Sequence, residues 1–131
     1  MNRAIALLER CSLTPTPQRI AVVRSVMDAG KHLAAEAVFR RAKHFCHSVS
    51  RATVYNTLNL LVEKRVLRAQ VLRDEAVVFE VNTRPHHHFV DDETGRISDI
   101  PWEDLSVRGL QKLKNVVVRD LQVVIRGRRK K

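Results

Sequence analysis

Apolar residues recur at helical spacing over residues 50–64, SRATVYNTLNLLVEK. Val54, Leu58, Leu61 and Val62 fall at i, i+4, i+7 and i+8, which is one apolar stripe. Ser50 precedes the stripe, and its hydroxyl can accept a backbone N–H of the first turn. Arg51, Thr53, Tyr55, Asn56 and Asn59 lie off the stripe, mostly toward the N-terminal end. This is what a recognition helix needs: one side packs on the domain, and the polar N-terminal residues meet base edges and phosphates. Upstream, Ile5, Leu7 and Leu8 predict a short helix over Asn2–Cys11, and Thr14-Pro15-Thr16-Pro17 breaks it. Pro17 suits the first turn of the next helix, Pro17–Ala29, which buries Ile20, Val23 and Met27 and leaves Arg19 and Arg24 outside. Gly30 ends it. A further helix, about Ala34–His44, carries Val38, Phe39 and Ala42.

The period then changes. Ala69, Val71, Val77, Phe79 and Val81 alternate around Arg73-Asp74-Glu75, a hairpin without a turn glycine. Three helices and a basic hairpin predict a winged helix-turn-helix over 1–82, with Arg68 and Arg73 on the wing. A hinge follows at 83–85. In 86–131, strands at 86–90 and 96–100 flank the acidic turn Asp91-Asp92-Glu93-Thr94-Gly95. Trp102–Lys114 reads as a helix and Val116–Ile125 as a strand rich in β-branched residues. So small a unit buries too little core to stand alone, so it is expected to dimerise. The expected class is α+β: an N-terminal winged helix-turn-helix domain plus a small C-terminal α/β dimerisation domain.

Composition narrows the function. The chain has 131 residues, 44% of them hydrophobic, with a formal net charge of +10. Up to Arg84 there are 14 Lys/Arg against 7 Asp/Glu, and beyond it 10 against 7. Such an excess favours polyanions, because each phosphate contact releases counterions. No apolar run approaches the roughly 20 residues of a membrane span, and no signal peptide is visible. The expectation is a cytoplasmic protein with no membrane partner. Cys11 and Cys46 are far apart and form neither a disulfide framework nor a cysteine-rich zinc site.

The histidines carry the chemistry. On a strand, His86 and His88 point to one face and His87 to the other. Two imidazoles on one face make a metal-ligand pair. Glu80, Asp99 and His32 can add to it, giving a nitrogen and oxygen set that suits Fe(II), Mn(II) or Zn(II). A metal joining the two lobes at the hinge would couple metal to DNA affinity. Against this, a bare histidine triplet can also be a surface strand, and His32, His44 and His47 can be solvated or capping residues.

Leu13-Thr14-Pro15-Thr16-Pro17-Gln18-Arg19, His32, Ser50-Arg51-Ala52-Thr53-Val54-Tyr55-Asn56-Thr57-Leu58, Phe79-Glu80 and His86-His87-His88, in that order, resemble the ferric uptake regulator (Fur) superfamily. The likeness runs from about Ala4 to Ile125. It implies a dimeric winged-helix transcription regulator that senses metal, peroxide or haem. It also implies a hinge metal site of His32, Glu80, His86 and His88, with Asp99 where the family usually has Glu. Tyr55 and Arg51 would touch bases or phosphates, and Arg19 would lie near phosphates. The chain departs from the pattern where relatives carry a CxxC for structural zinc. Those positions are Asp91 and Thr94, so the resemblance implies no structural zinc held by cysteines here. HHHF followed by D-D-E-T-G and I-S-D-I-P is similar to the iron response regulator (Irr) branch. That implies control of iron and haem genes, with haem sensing through His86 and His88.

The expected function is an iron- or haem-responsive repressor that binds a palindromic operator in duplex DNA as a homodimer. The expected DNA contacts are Arg19, Ser50, Arg51, Thr53, Tyr55, Asn56, Arg68 and Arg73. One rival is a metal-independent DNA-binding protein with a vestigial sensor site. A second is a metal-dependent hydrolase using His86, His88 and Asp99, which leaves the recognition helix without a purpose. An RNA-binding module is the third. No nucleophile–base pair or phosphate loop argues for catalysis.

Overall fold

Hydroxyl caps open two of the helices, one of them together with a proline. The structure, a computed structural model, describes residues 2–29, 32–73, 76–81 and 84–130, and only the backbone of 2, 29 and 73. Helix α1 (Asn2–Arg10) is amphipathic and buries Ala4 and Leu8. Helix α2 (Pro17–Ala29) begins at a proline whose missing N–H is harmless in a first turn. Thr16 caps it: its Oγ1 accepts the Arg19 N–H at 3.2 Å. Helix α3 (Ala35–Phe45) buries Ala35, Val38, Phe39 and Ala42. Helix α4 (Arg51–Glu63) is capped as expected, with Ser50 Oγ accepting the Thr53 N–H at 3.1 Å. It buries Val54, Thr57, Leu58 and Leu61; Val22 and Val26 of α2 and Val38 of α3 belong to the same core. Leu58 is 0% exposed, and full burial of such a side chain stabilises by about 1.5–3 kcal/mol.

A three-stranded antiparallel sheet completes this part of the chain, in the order β1-β3-β2. Its strands are β1 (Leu33–Ala34), β2 (Arg68–Arg73) and β3 (Ala76–Glu80). The hairpin β2–β3 is where the alternation predicted it, and residues of both its faces are buried. Among the alternating apolar residues Phe79 is buried in the helical core, whereas Val71, Val77 and Val81 are 56%, 42% and 37% exposed. Gln70, Leu72, Val78 and Glu80, on the opposite face, are buried. Gly30, expected to end α2, the turn residues 74 and 75, and the hinge position 83 lie outside the described residues.

The chain divides into two compact units, Met1–Thr83 and Arg84–Lys131. The second is built on β4 (His86–Asp91), with β5 (Ile97–Pro101) antiparallel on one side and β6 (Val124–Gly127) parallel on the other. The β4–β5 turn is held by Asp91, a buried residue whose Oδ1 accepts the N–H groups of Glu93 and Thr94 at 2.8 and 3.2 Å. Gly95 closes it at φ 75°, a left-handed conformation that glycine adopts freely.

Two expectations fail in this unit. Trp102–Lys114 is not a helix: it has short 3-10 turns at Trp102–Asp104 and Leu110–Lys112 with irregular chain between them. Val107, Leu110 and Leu113 are 42%, 39% and 54% exposed, so no apolar stripe is buried to hold a helix. Gly109, at φ 88°, breaks it as well. Val116–Ile125 is not one strand either, since only Val124–Gly127 pairs. Val116, Val117 and Val118 are 59%, 97% and 51% exposed, and β propensity without a ladder partner does not make a strand. No helix of the described residues is long and apolar enough to cross a membrane.

Candidate metal centre and nucleic-acid interface

In the first unit, β1 decides where His32 goes. The register Leu33↔Phe79 and Ala34↔Val78 sets His32 across from Glu80. His32 Nε2 lies 2.5 Å from Glu80 Oε2, and both side chains are nearly buried. Glu80 is oriented from the other side, because Gln70 Nε2 donates to its Oε1 at 2.9 Å. His32 is therefore placed by strand pairing.

In the second unit, strand alternation puts His86 and His88 on one face of β4 and His87 on the other. His86 Nδ1 donates to the Arg84 carbonyl at 2.6 Å, since a carbonyl can only accept. His88 Nδ1 faces Gln122 Oε1 at 2.8 Å, again an acceptor. Nδ1 is thus engaged in each ring, and in the neutral imidazole Nε2 is the nitrogen whose lone pair a cation would use. Both Nε2 atoms face the Asp99 carboxylate, with Oδ1 at 3.6 Å from His86 and 3.8 Å from His88. Asp99 arrives there because it pairs opposite His88 in the β4–β5 ladder. These three side chains offer ligand atoms within 4.8 Å of one another. Two imidazoles, each anchored through its other ring nitrogen and both facing a carboxylate, make the arrangement that metal-binding histidines show. The donor set thus fits a borderline divalent cation.

His87 is different in kind. Its Nδ1 accepts the Val123 N–H at 2.9 Å, so the ring proton is on Nε2 and no lone pair remains for a metal there. The ring stacks on Trp102 with centroids 4.7 Å apart.

Among the residues read for nucleic acid, Tyr55, Asn56 and Arg51 are exposed on α4. Arg51 opens the helix, and its guanidinium donates to Glu36 through Nε at 3.2 Å and Nη2 at 2.8 Å. These hydrogen bonds hold the Glu36 carboxyl below its ordinary range and push Arg51 above its own. The hydroxyls of Ser50 and Thr53 are engaged with each other and with the helix start. Arg19 donates from Nη1 to the Thr14 carbonyl at 3.1 Å, tying α2 to the segment before it. Arg68 pairs with Glu80 in the ladder, at the end of the hairpin away from residues 74 and 75. It sits beside the His32–Glu80 pair and not at the tip, where Arg73 ends β2. The Arg73 side chain lies outside the described part. Sequence reasoning missed Glu36, Gln70 and Gln122, because an isolated polar residue carries no periodic signal of the partner it will meet.

A capped helix with a polar exposed face and a converging imidazole–carboxylate set are features that a metal-responsive regulator requires. The comparisons give the family. The model of the Ferric uptake regulator family matches residues 11–126, and the chain belongs to that family, whose members are transcription regulators and not enzymes. The peroxide-responsive repressor PerR of Staphylococcus aureus is 26% identical over 106 residues, covering 81% of this chain and 72% of the relative. Among solved structures, the ferric uptake regulator of Pseudomonas aeruginosa with manganese superposes with a TM-score of 0.74 at 22% identity over 98% of each chain. The Campylobacter jejuni peroxide stress regulator does so with a TM-score of 0.70 at 22% identity over 99% and 96%. The fold is therefore the α+β fold of the ferric uptake regulators.

Proposed function

We propose that the chain is a homodimeric, divalent-metal-responsive repressor that binds palindromic duplex DNA in the cytoplasm and controls iron and haem genes. Residues 1–82 are its winged-helix DNA-binding domain, 83–85 its hinge and 86–131 its dimerisation domain. His32 and Glu80 from the first domain join His86, His88 and Asp99 from the second around one Fe(II), Mn(II) or Zn(II) ion. The observation that carries this reading is the pair of histidines anchored through Nδ1 whose Nε2 atoms face one carboxylate. Each unit alone supplies an incomplete set, so a cation that takes both favours one arrangement of the domains. Arg51, Tyr55 and Asn56 on α4 read the DNA, with Ser50 and Thr53 beside them at the capped helix start. Arg19, Arg68 and Arg73 supply charge toward phosphates.

Support for the homodimer comes from the exposed run Val116–Val118 next to a sheet of only three strands, in a family of dimeric regulators. The donor set favours a bare cation over haem. His86 and His88 are 5% and 0% exposed, whereas a porphyrin needs an open face beside its axial ligand. The likeness to the iron response regulators carries the assignment to iron and haem genes.

The test is duplex affinity at fixed salt. A duplex selected by the protein is titrated with apoprotein, with Mn(II), with Fe(II) and with haem, alongside a His86→Ala/His88→Ala variant. A shift of about tenfold with metal that the variant lacks supports the reading. Equal binding by both proteins in every arm makes this a constitutive DNA-binding protein. A response to haem alone moves the assignment to haem.

A further inference from the structure

The ion pair at the start of α4 has a geometry that bears on sequence reading. Arg51 is the first residue of α4, where side chains of a recognition helix reach base edges. A guanidinium has two bidentate edges: Nε with one Nη2 proton, and Nη1 with the other Nη2 proton. Glu36 occupies the first edge with both carboxylate oxygens, at 3.2 and 2.8 Å. The Arg51 guanidinium also lies over the Phe39 ring, 4.5 Å from its centroid. One edge is held and one plane is supported. The second edge presents two parallel N–H groups, and the Arg51 side chain is 63% exposed. Two parallel donors match the O6 and N7 acceptors of guanine in the major groove. A phosphate can be met by a wandering cation, whereas a base edge rewards one fixed in plane.

We propose that Arg51 reads a guanine in each half-site and that Glu36 is the positioning residue that aims it. The inference rests on the DNA-binding reading above and adds a specificity to it. Glu36 on α3 and Arg51 on α4 are 15 residues apart in the chain, so the pair also ties base reading to the packing of those two helices.

Charge alone predicts the opposite sign from this proposal. Replacing a carboxylate near a polyanion raises affinity for any duplex. An aimed arginine predicts that Glu36→Gln binds its preferred duplex more weakly although the protein gains positive charge. The experiment is selection from a randomised duplex pool by the full-length protein with Mn(II), using wild type, Glu36→Gln, Arg51→Ala and the double variant. Affinities follow on the wild-type-selected duplex, and on the same duplex with 7-deazaguanine, which lacks N7.

Expected is a guanine position in the wild-type selection that Arg51→Ala loses, with about tenfold weaker binding to the selected duplex. Glu36→Gln should lose about threefold on that duplex and hold or gain on random DNA. The double variant should be no worse than Arg51→Ala. The 7-deazaguanine duplex should weaken wild type and leave Arg51→Ala unchanged. A Glu36→Gln protein that binds selected and random duplexes equally more tightly overturns the proposal. So does a guanine preference that survives Arg51→Ala. Wild type that enriches no sequence at all refutes the DNA-binding reading first, and this inference with it.

Discussion

Gln122→Leu is the sharpest test of how the histidines are prepared for a cation. Gln122 Oε1 accepts the His88 Nδ1 proton at 2.8 Å, and this one bond decides which ring nitrogen keeps its lone pair. Leucine has a similar volume and cannot accept. The His88 proton is then free to move to Nε2, where Asp99 Oδ1 lies 3.8 Å away and can draw it in. The apoprotein loses little, because the buried ring exchanges one acceptor for another. A cation loses more, because the proton now sits on the ligand atom. Removal of such an outer partner typically weakens metal binding 10–100-fold, which is about 1.4–2.7 kcal/mol. The assay is competitive Mn(II) titration against a chelator, with apoprotein melting as the control for folding. Melting near wild type together with a tenfold or greater loss of affinity is the expected pair of results. Unchanged affinity in Gln122→Leu, beside a full loss in His88→Ala, would refute the tautomer argument while leaving His88 a ligand. Unchanged affinity in both removes His88 from the site.

Three further perturbations follow from single contacts. Ser50→Ala deletes the cap of α4, so unfolding by denaturant should show a loss of about 1 kcal/mol, and Ser50→Gly a smaller one. Asp91→Ala removes the buried acceptor of two turn N–H groups and should cost roughly 1–3 kcal/mol, read by denaturant unfolding of the apoprotein. Glu36 is held below its ordinary value of 4.5, chiefly by the Arg51 hydrogen bonds. Its folded pKa is depressed, so its stabilisation is complete above that value and disappears as pH falls through the folded one. Wild type and Glu36→Gln should differ slightly near neutrality at low salt and converge in acid; a gap that stays constant with pH would show that the pair does not titrate as argued.

Most of the first unit is legible from residue order because its signals are local. Ser50, Pro17 and the stripe Val54–Leu58–Leu61 each act within one or two helical turns. What is not legible depends on partners distant in sequence. The strand Leu33–Ala34 has two residues and exists only as a ladder on Phe79 and Val78, yet it carries His32 to Glu80. The alternating valines of the β2–β3 hairpin mark its strands but not which face is covered. Residues 102–123 have the propensity for a helix and a strand, and neither forms where nothing buries it. At the candidate metal centre, the alternation His86, His87, His88 predicts which two share a face. That Nδ1 of the middle ring accepts a proton while Nδ1 of its neighbours donates one is set by Val123, Arg84 and Gln122, and no spacing rule reaches them.

The division of donors between the units has a thermodynamic consequence if the proposed function holds. His32 and Glu80 belong to the unit that carries α4; His86, His88 and Asp99 belong to the other. A cation that needs all five can bind tightly in only one arrangement of the two, so its binding energy is also energy for that arrangement. DNA with a fixed half-site spacing selects an arrangement as well. The two ligands are then linked, and the linkage is reciprocal: if metal tightens duplex binding tenfold, duplex must tighten metal binding tenfold, about 1.4 kcal/mol in each direction. A cation bound by only one unit would show no such symmetry, because its affinity would be indifferent to how α4 is presented. A sensor built in this way would need no dedicated transmission pathway. Splitting an otherwise ordinary nitrogen and oxygen donor set across a hinge would be enough to convert metal availability into DNA affinity.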